Sequence, residues 1–247
     1  PIQAHKSSYE AYKSGIEEHL IDGVSVKVYN PEKTLAVSLG NLLGPTRIVQ
    51  NDRGVQFLRA ARSTGLDYVV PGTGEFIFGV HTLKILTEFS GVPEFVSANI
   101  VDERTGRTIV EPYVIREISG LRICLVGMSE RNIIRDSKDE NVVGMDVLPF
   151  EDAFESISGD ISRERPDIVV VAGRLDRDSI VSMAKKFPLI DVFVTCGSSG
   201  GFADTEAATT SILISDKPVY ISRSSFVFNG TGFAADAKSG KHPIFFI

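Results

Sequence analysis

Apolar positions along the chain fall into two rhythms. Short, nearly continuous runs occur at "TLAVSL" (34–39), "DYVV" (67–70), "EFVSANI" (94–100), "LRICLVG" (121–127), "DIVVVAG" (167–173) and "DVFVTCG" (191–197). They are rich in β-branched residues and bounded by Gly or Pro, the signature of strands covered on both faces. Between them apolar residues recur at helical spacing. "SYEAYKSGIEEHL" follows a serine cap, and "GVQFLRAARST", "VHTLKILTEFS", "FEDAFESISGDIS" and "DSIVSMAKKF" follow the same pattern. The alternation predicts α/β layers.

Two regions leave that rhythm. The stretch from Val101 to Gly127 reads as a hairpin with a turn at "RTGR", followed by a strand and the "SGLR" turn. After Gly201 the chain turns strand-rich, through "TSILIS", "KPVYISRSSFVFNGTGFAAD" and "HPIFFI", and antiparallel strands at a sheet edge are expected. With no repeat, low-complexity tract or linker, residues 1–247 read as a single domain.

Ligands of open α/β sheets sit at the carboxyl ends of the strands. The segments to inspect are therefore Gly40–Asn41, Gly72–Glu75, Gly173–Asp176 and Gly197–Gly201, all opening on glycine. Their backbone N–H groups are candidates for cradling an anion, with Arg174 or Arg131 in support. Tight turns are the simpler reading. "GTGEFIFG" is not a dinucleotide fingerprint, because Ile77 stands where the third glycine belongs.

In order, these loops resemble those of the metallophosphatase (calcineurin-like phosphoesterase) superfamily, in particular the N-terminal domain of the 5'-nucleotidase family. That family carries metal ligands in the patterns D-x-H, G-D, G-N-H-E-F-D, S-H-x-G and G-H-x-H. The likeness runs from about Leu35 to Asp236, through "TLAVSLGNLLGP", "GLDYVVPGTGEFIFG", "VPEFVSANIVDERTG", "EISGLRICLVGMSE", "PDIVVVAGRLDRD" and "IDVFVTCGSSG". It implies a four-layer αββα sandwich of two mixed β-sheets. It also implies two divalent metals that would clamp a phosphoester and activate a water.

The framework matches and the ligands do not. The G-D aspartate falls on Asn41, and the asparagine and histidine of G-N-H-E fall on Thr73 and Gly74, with Glu75 and Phe76 kept. The lone histidine falls on Gly173, and the last two histidines on Gly197 and Ser199. The D-x-H element falls on Gln3 and His5, which leaves His5 as the sole surviving ligand. Two dications need imidazoles and a bridging carboxylate against their mutual repulsion, and glycines offer neither. The expectation is no metal, no cofactor and no family-type chemistry: a non-catalytic relative that binds a small molecule or a protein. Asn41, Thr73, Glu75, Arg174, Ser198 and Ser199 are its candidate contacts. Glu75, without metals to serve, is read as a helix cap.

Two alternatives stay open. One is a divergent metal-dependent phosphoester hydrolase using scattered carboxylates. The other is a serine hydrolase, since "GSSGG" places Ser199 in a G-x-S-x-G with Asp204 or Asp216 and His242 downstream. A nucleophile elbow must run into a helix, whereas "FADTEAATTSILIS" returns to strand. His19 and His81 are assigned to helices, Asp176 and Asp178 to a helix N-terminus, and "DSKDEN" (136–141) to a solvated loop. Phe226, Phe228 and Phe233 read as core, and Cys124 and Cys196 as buried thiols.

The net charge of -6, without a basic patch, argues against a nucleic-acid polymer as partner. No apolar run reaches the roughly 20 residues that span a bilayer, so no transmembrane segment is expected. The chain is also too short to hold the separate C-terminal domain that sets nucleotide specificity in the family. The resemblance suggests an extracytoplasmic or periplasmic setting.

Overall fold

The structure, a computed structural model, describes residues 16–21, 24–29, 34–118, 120–196, 211–215, 224–228, 233–234 and 243–246. One sheet has five strands in the order Ser211–Ser215, Val192–Cys196, Ile168–Gly173, Leu121–Met128 and Tyr113–Ile118. The first four run parallel, and Tyr113–Ile118 closes one edge antiparallel as a hairpin with its successor. A second, three-stranded parallel sheet joins Val37–Ser38, Tyr68–Val69 and Glu94–Phe95. Thr34–Leu35, one residue upstream of that sheet, pairs parallel with Pro243–Phe246 in a four-stranded sheet.

Strand alternation assigns each face. From the five-stranded sheet, Ile123, Leu125, Ile168, Val170 and Ala172 pack against Leu35, Val37, Tyr68, Val70 and Val96 of the opposing strands. Their neighbours Cys124, Val126, Met128, Val169 and Val171 point the other way, onto Phe154, Ile157, Ile161, Ile180 and Met183. Those residues belong to the helices Phe150–Glu164 and Arg177–Lys186. On the far side Val69 and Phe95 pack on Leu58, Leu83 and Leu86, from helices Val55–Ser63 and Val80–Thr87. Helix, sheet, sheet, helix: the expected four-layer α/β architecture is the observed one. The double-sided apolar runs exist because each such strand is covered on both faces. A fully buried Phe such as Phe154 or Phe193 contributes about 1.5–3 kcal/mol.

Several local expectations are corrected. "SYEAYKSGIEEHL" is not a helix where it is described: Ile16–Ile21, which carries His19, is a strand paired antiparallel with Val24–Tyr29. The register runs from Ile16 opposite Tyr29 to Ile21 opposite Val24. The alternating valines of the facing strand outweigh the helical propensity of the glutamates. "TLAVSL" and "EFVSANI" each break in two, the latter into Glu94–Phe95 and Ile100–Asp102. "DSKDEN" is partly helical, at Asp139–Val142. Ser211–Ser215 is an edge strand, but parallel to its neighbour rather than antiparallel. The strands Ser224–Phe228, Phe233–Ala234 and Pro243–Phe246 are antiparallel as expected. The "RTGR" turn is present, with Gly106 at φ 67° and its N–H donating to Asp102 O at 2.8 Å.

The layers touch through backbone at Gly127. A Cβ at Gly127 would lie 1.9 Å from Val96 O, while Ala98 N donates to Gly127 O at 2.9 Å. Gly127→Ala is therefore expected to cost at least about 3 kcal/mol in urea denaturation, because main chain cannot yield as a side chain can. Gly159, exposed in the helix Phe150–Glu164 with nothing near its missing Cβ, should respond oppositely. Gly159→Ala should gain about 0.5–1 kcal/mol from helix propensity. Equal effects at the two sites would contradict the close approach.

Candidate functional site

Val37–Ser38 and Tyr68–Val69 are parallel neighbours, so the loops leaving their carboxyl ends lie side by side. Gly40 at φ 91° and Asn41 at φ 58° both take the left-handed conformation. That bend aims the successive N–H groups of Asn41, Leu42 and Leu43 at one point, forming a concave nest for an anion. The nest is filled from within the chain. Glu75 Oε2 accepts from Asn41 N at 2.9 Å and from Gly72 N at 2.7 Å. Its Oε1 accepts from Leu42 N at 2.7 Å and Leu43 N at 2.9 Å. In return Asn41 Oδ1 accepts from Gly74 N at 2.8 Å.

Glu75 sits in the short 3-10 turn Thr73–Phe76 and is 1% exposed. Its bond to Gly72 N caps that turn from inside, so the cap reading holds for this turn and not for the helix Val80–Thr87 that follows. Burial pushes its carboxyl above the ordinary carboxylate range, and the four N–H donors offset only part of that rise. The glycines make the approach possible. A Cβ at Gly40 would lie 2.8 Å from Gly72 N, and one at Gly74 would lie 2.2 Å from Leu43 O.

The third loop is closed in the same manner. Thr195, 1% exposed, has its Oγ1 between the backbone of Leu175: it accepts from Leu175 N and donates to Leu175 O, both at 3.1 Å. Arg174 pairs with Glu130 at 3.0 Å, each half-buried. A Cβ on Gly173 would fall 1.9 Å from Met128 O. Asp176 caps the helix Arg177–Lys186 through Ser179 N, and Asp178 sits in its first turn, as read from the sequence. His81 is exposed on its helix. Gln3, His5, Gly197, Ser198, Ser199, Asp204, Asp216 and His242 lie outside the described residues, and so does the Ser199 nucleophile reading.

A further polar hub went unread in the sequence. Asn99, fully buried, donates from Nδ2 to Ser129 O at 2.8 Å and to Leu148 O at 3.3 Å. Its Oδ1 accepts from Ser129 N at 2.8 Å and Ser97 Oγ at 3.0 Å, so both ends of the amide are used. An asparagine in a β-rich run was the available signal, since Asn is depleted in strands. Asp67, also buried, holds Ala36 N, Arg62 and Arg116. Cys124 is buried, and burial pushes its thiol up to about 12, which leaves it unreactive at neutral pH.

The family's di-metal centre does not fit the described positions. Gly74 and Gly173 carry no donor and have no room for one. The Asn41 oxygen and both Glu75 oxygens are already engaged. Among the described residues no group of three or more His, Cys, Asp or Glu is placed to hold a metal ion.

No family model matches the sequence. The chain is 30% identical over 107 residues to a 5'-nucleotidase of Vibrio cholerae, a match covering 43% of this chain and 19% of that protein. The calcineurin-like phosphoesterase YfkN from Bacillus subtilis superposes with a TM-score of 0.62 at 15% identity, over 74% of this chain and 68% of that one. A 5'-nucleotidase precursor from Thermus thermophilus superposes at 0.57 and 15% identity, over 94% of this chain and 45% of the other. The chain thus spans under half the length of the two nucleotidases. The fold is that of the metallophosphatases.

If Glu75 is the anion of the nest, its neutral isostere fails there. Glu75→Gln turns an amide NH₂ toward two N–H donors and should cost about 3 kcal/mol. Asn41→Gly keeps the left-handed backbone accessible, loses one bond and should cost about 1 kcal/mol. Chemical denaturation of both variants measures the difference; a neutral Glu75→Gln contradicts the clamp.

Proposed function

We propose that this metallophosphatase-fold domain works by binding a small molecule or a protein partner, not by phosphoester hydrolysis. The observation that carries the reading is the Glu75 carboxylate seated in the nest of Asn41, Leu42, Leu43 and Gly72 N–H groups. An internal anion occupies the donors that a substrate phosphate would otherwise meet, and a fixed carboxylate repels a second anion at that mouth. The sealed Cβ positions of Gly74 and Gly173 support the same reading, because a histidine at either would displace main chain. Asn41, Thr73, Arg174, Ser198 and Ser199 are the proposed contacts, at the ends of the strands where α/β folds place ligands.

An extracytoplasmic setting is part of the proposal and rests on the likeness to 5'-nucleotidases. Among the described residues no helix is long and apolar enough to cross a membrane.

The full chain, incubated with Mn²⁺, Zn²⁺ or Fe²⁺ and then desalted, should retain no stoichiometric metal by mass spectrometry. It should turn over neither AMP nor bis(p-nitrophenyl) phosphate above the buffer rate. Gly74→His should destabilise the chain without conferring either property. Retained metal together with turnover that a chelator abolishes would sink the proposal in favour of a divergent phosphoester hydrolase.

A further inference from the structure

Three parallel strands are each preceded by an aspartate: Asp67 before Tyr68–Val69, Asp167 before Ile168–Gly173, and Asp191 before Val192–Cys196. Each aspartate makes the same pair of bonds to a single residue of the neighbouring segment. Asp67 N donates to Ala36 O at 3.0 Å, and its Oδ2 accepts from Ala36 N at 3.2 Å. Asp167 does the same with Arg122, at 2.8 Å both ways. Asp191 does so with Val169, at 3.0 Å and 2.8 Å. The pattern recurs in two different sheets, and at a buried, an exposed and a half-buried position. Burial therefore does not explain it, and ladder geometry does. In a parallel ladder a residue donates to a carbonyl one step back on its neighbour and accepts from an N–H one step ahead. At the start of a strand the carbonyl one step back belongs to the incoming connection. The aspartate oxygen stands in for that carbonyl and adds one rung.

We propose that Asp67, Asp167 and Asp191 are positioning residues, which lock the parallel register at the amino ends and so align the loops at the carboxyl ends. A slip of one residue would carry a loop about 3.3 Å along its strand and turn every side chain to the opposite face. The contacts at the mouth need that alignment. Thr195 meets Leu175 only while the strand from Asp191 is in step with the strand from Asp167. The Glu75 oxygens meet Asn41, Leu42 and Leu43 only while the strand from Asp67 is in step with Val37–Ser38. The lock belongs to the scaffold, so it holds whatever the mouth binds.

Amide hydrogen exchange of the ¹⁵N-labelled full chain tests this in Asp191→Ala, Asp191→Asn and Asp167→Ala. Asp67 is left in place because Arg62 and Arg116 also hold it. Asp191→Ala should lower protection of the Val169 amide by at least about tenfold, the worth of a hydrogen bond to a carboxylate. It should lower that of the Leu175 amide as well, while sparing Arg122. The exposed Asp167 provides a second, milder site. Asp167→Ala should lower Arg122 and spare Val169. Asp191→Asn keeps an acceptor oxygen, and Val169 should stay within about threefold of the unmodified chain. Unchanged Val169 protection in Asp191→Ala, or an equal fall at all three amides in either alanine variant, overturns the local lock. A loss in Asp191→Asn as large as in Asp191→Ala assigns the effect to charge instead of the acceptor, and also overturns it. An unaltered Leu175 amide in Asp191→Ala shows that register is not carried to the mouth and overturns the positioning role. No metal or phosphoester is used, so these outcomes are separate from the hydrolysis assay.

Discussion

A fully buried carboxylate has no place in an apolar layer unless its charge is met, and at Glu75 it is met by four backbone N–H groups. Everything at this end of the molecule follows from that constraint. The four donors come from two loops, so neither loop can move without leaving donors and a charge unpaired, at a cost of several kcal/mol. Asn41 must adopt the left-handed conformation to aim its own and the next two N–H groups. Gly40 and Gly74 must lack Cβ atoms, because the opposing main chain stands where those atoms would be, and a Cβ at Gly72 would crowd Asn41 at 3.0 Å.

The same solution recurs at the other strand ends. Thr195 bridges both backbone groups of Leu175, and Asn99 ties Ser97, Ser129 and Leu148 together. Each is a single buried polar side chain satisfying backbone groups that a strand end leaves without a ladder partner. Loops stapled in this way are preorganised and hard to open.

The metallophosphatase-like architecture draws most of its apolar packing from the strands and helices rather than from the strand-end loops. The inter-sheet layer of Leu35, Val37, Tyr68, Val70, Ile123, Leu125, Ile168 and Val170 is apolar and independent of the strand-end loops. The helical layers over Val69 and Val171 are apolar too, and they take in loop residues, Leu43 and Phe76 in one and Leu175 in the other. A fold held by such layers tolerates exchange of its ligand loops, which is why likeness of fold alone does not carry a relative's activity across.

Much of the architecture was legible in the linear pattern. Apolar runs marked the covered strands, helical spacing marked the helices of both outer layers, and Asp176 announced its own cap. Glycines after successive strands marked the loops that meet at the carboxyl ends. These are local signals, carried by neighbours within a turn or a pleat. What needed tertiary structure was every decision made by a distant partner. The sequence shows a glutamate at position 75, but not that its oxygens reach donors 32 to 34 residues away. It shows glycines at 74 and 159 alike, while the fold places Leu43 O against one and nothing against the other. It shows one run, "TLAVSL", that the fold divides between two sheets because two different neighbours claim its halves. It shows helix-favouring glutamates in "IEEHLI", overruled by the valines of the facing strand. Periodicity determines which residues are buried; only the folded chain determines what they are buried against.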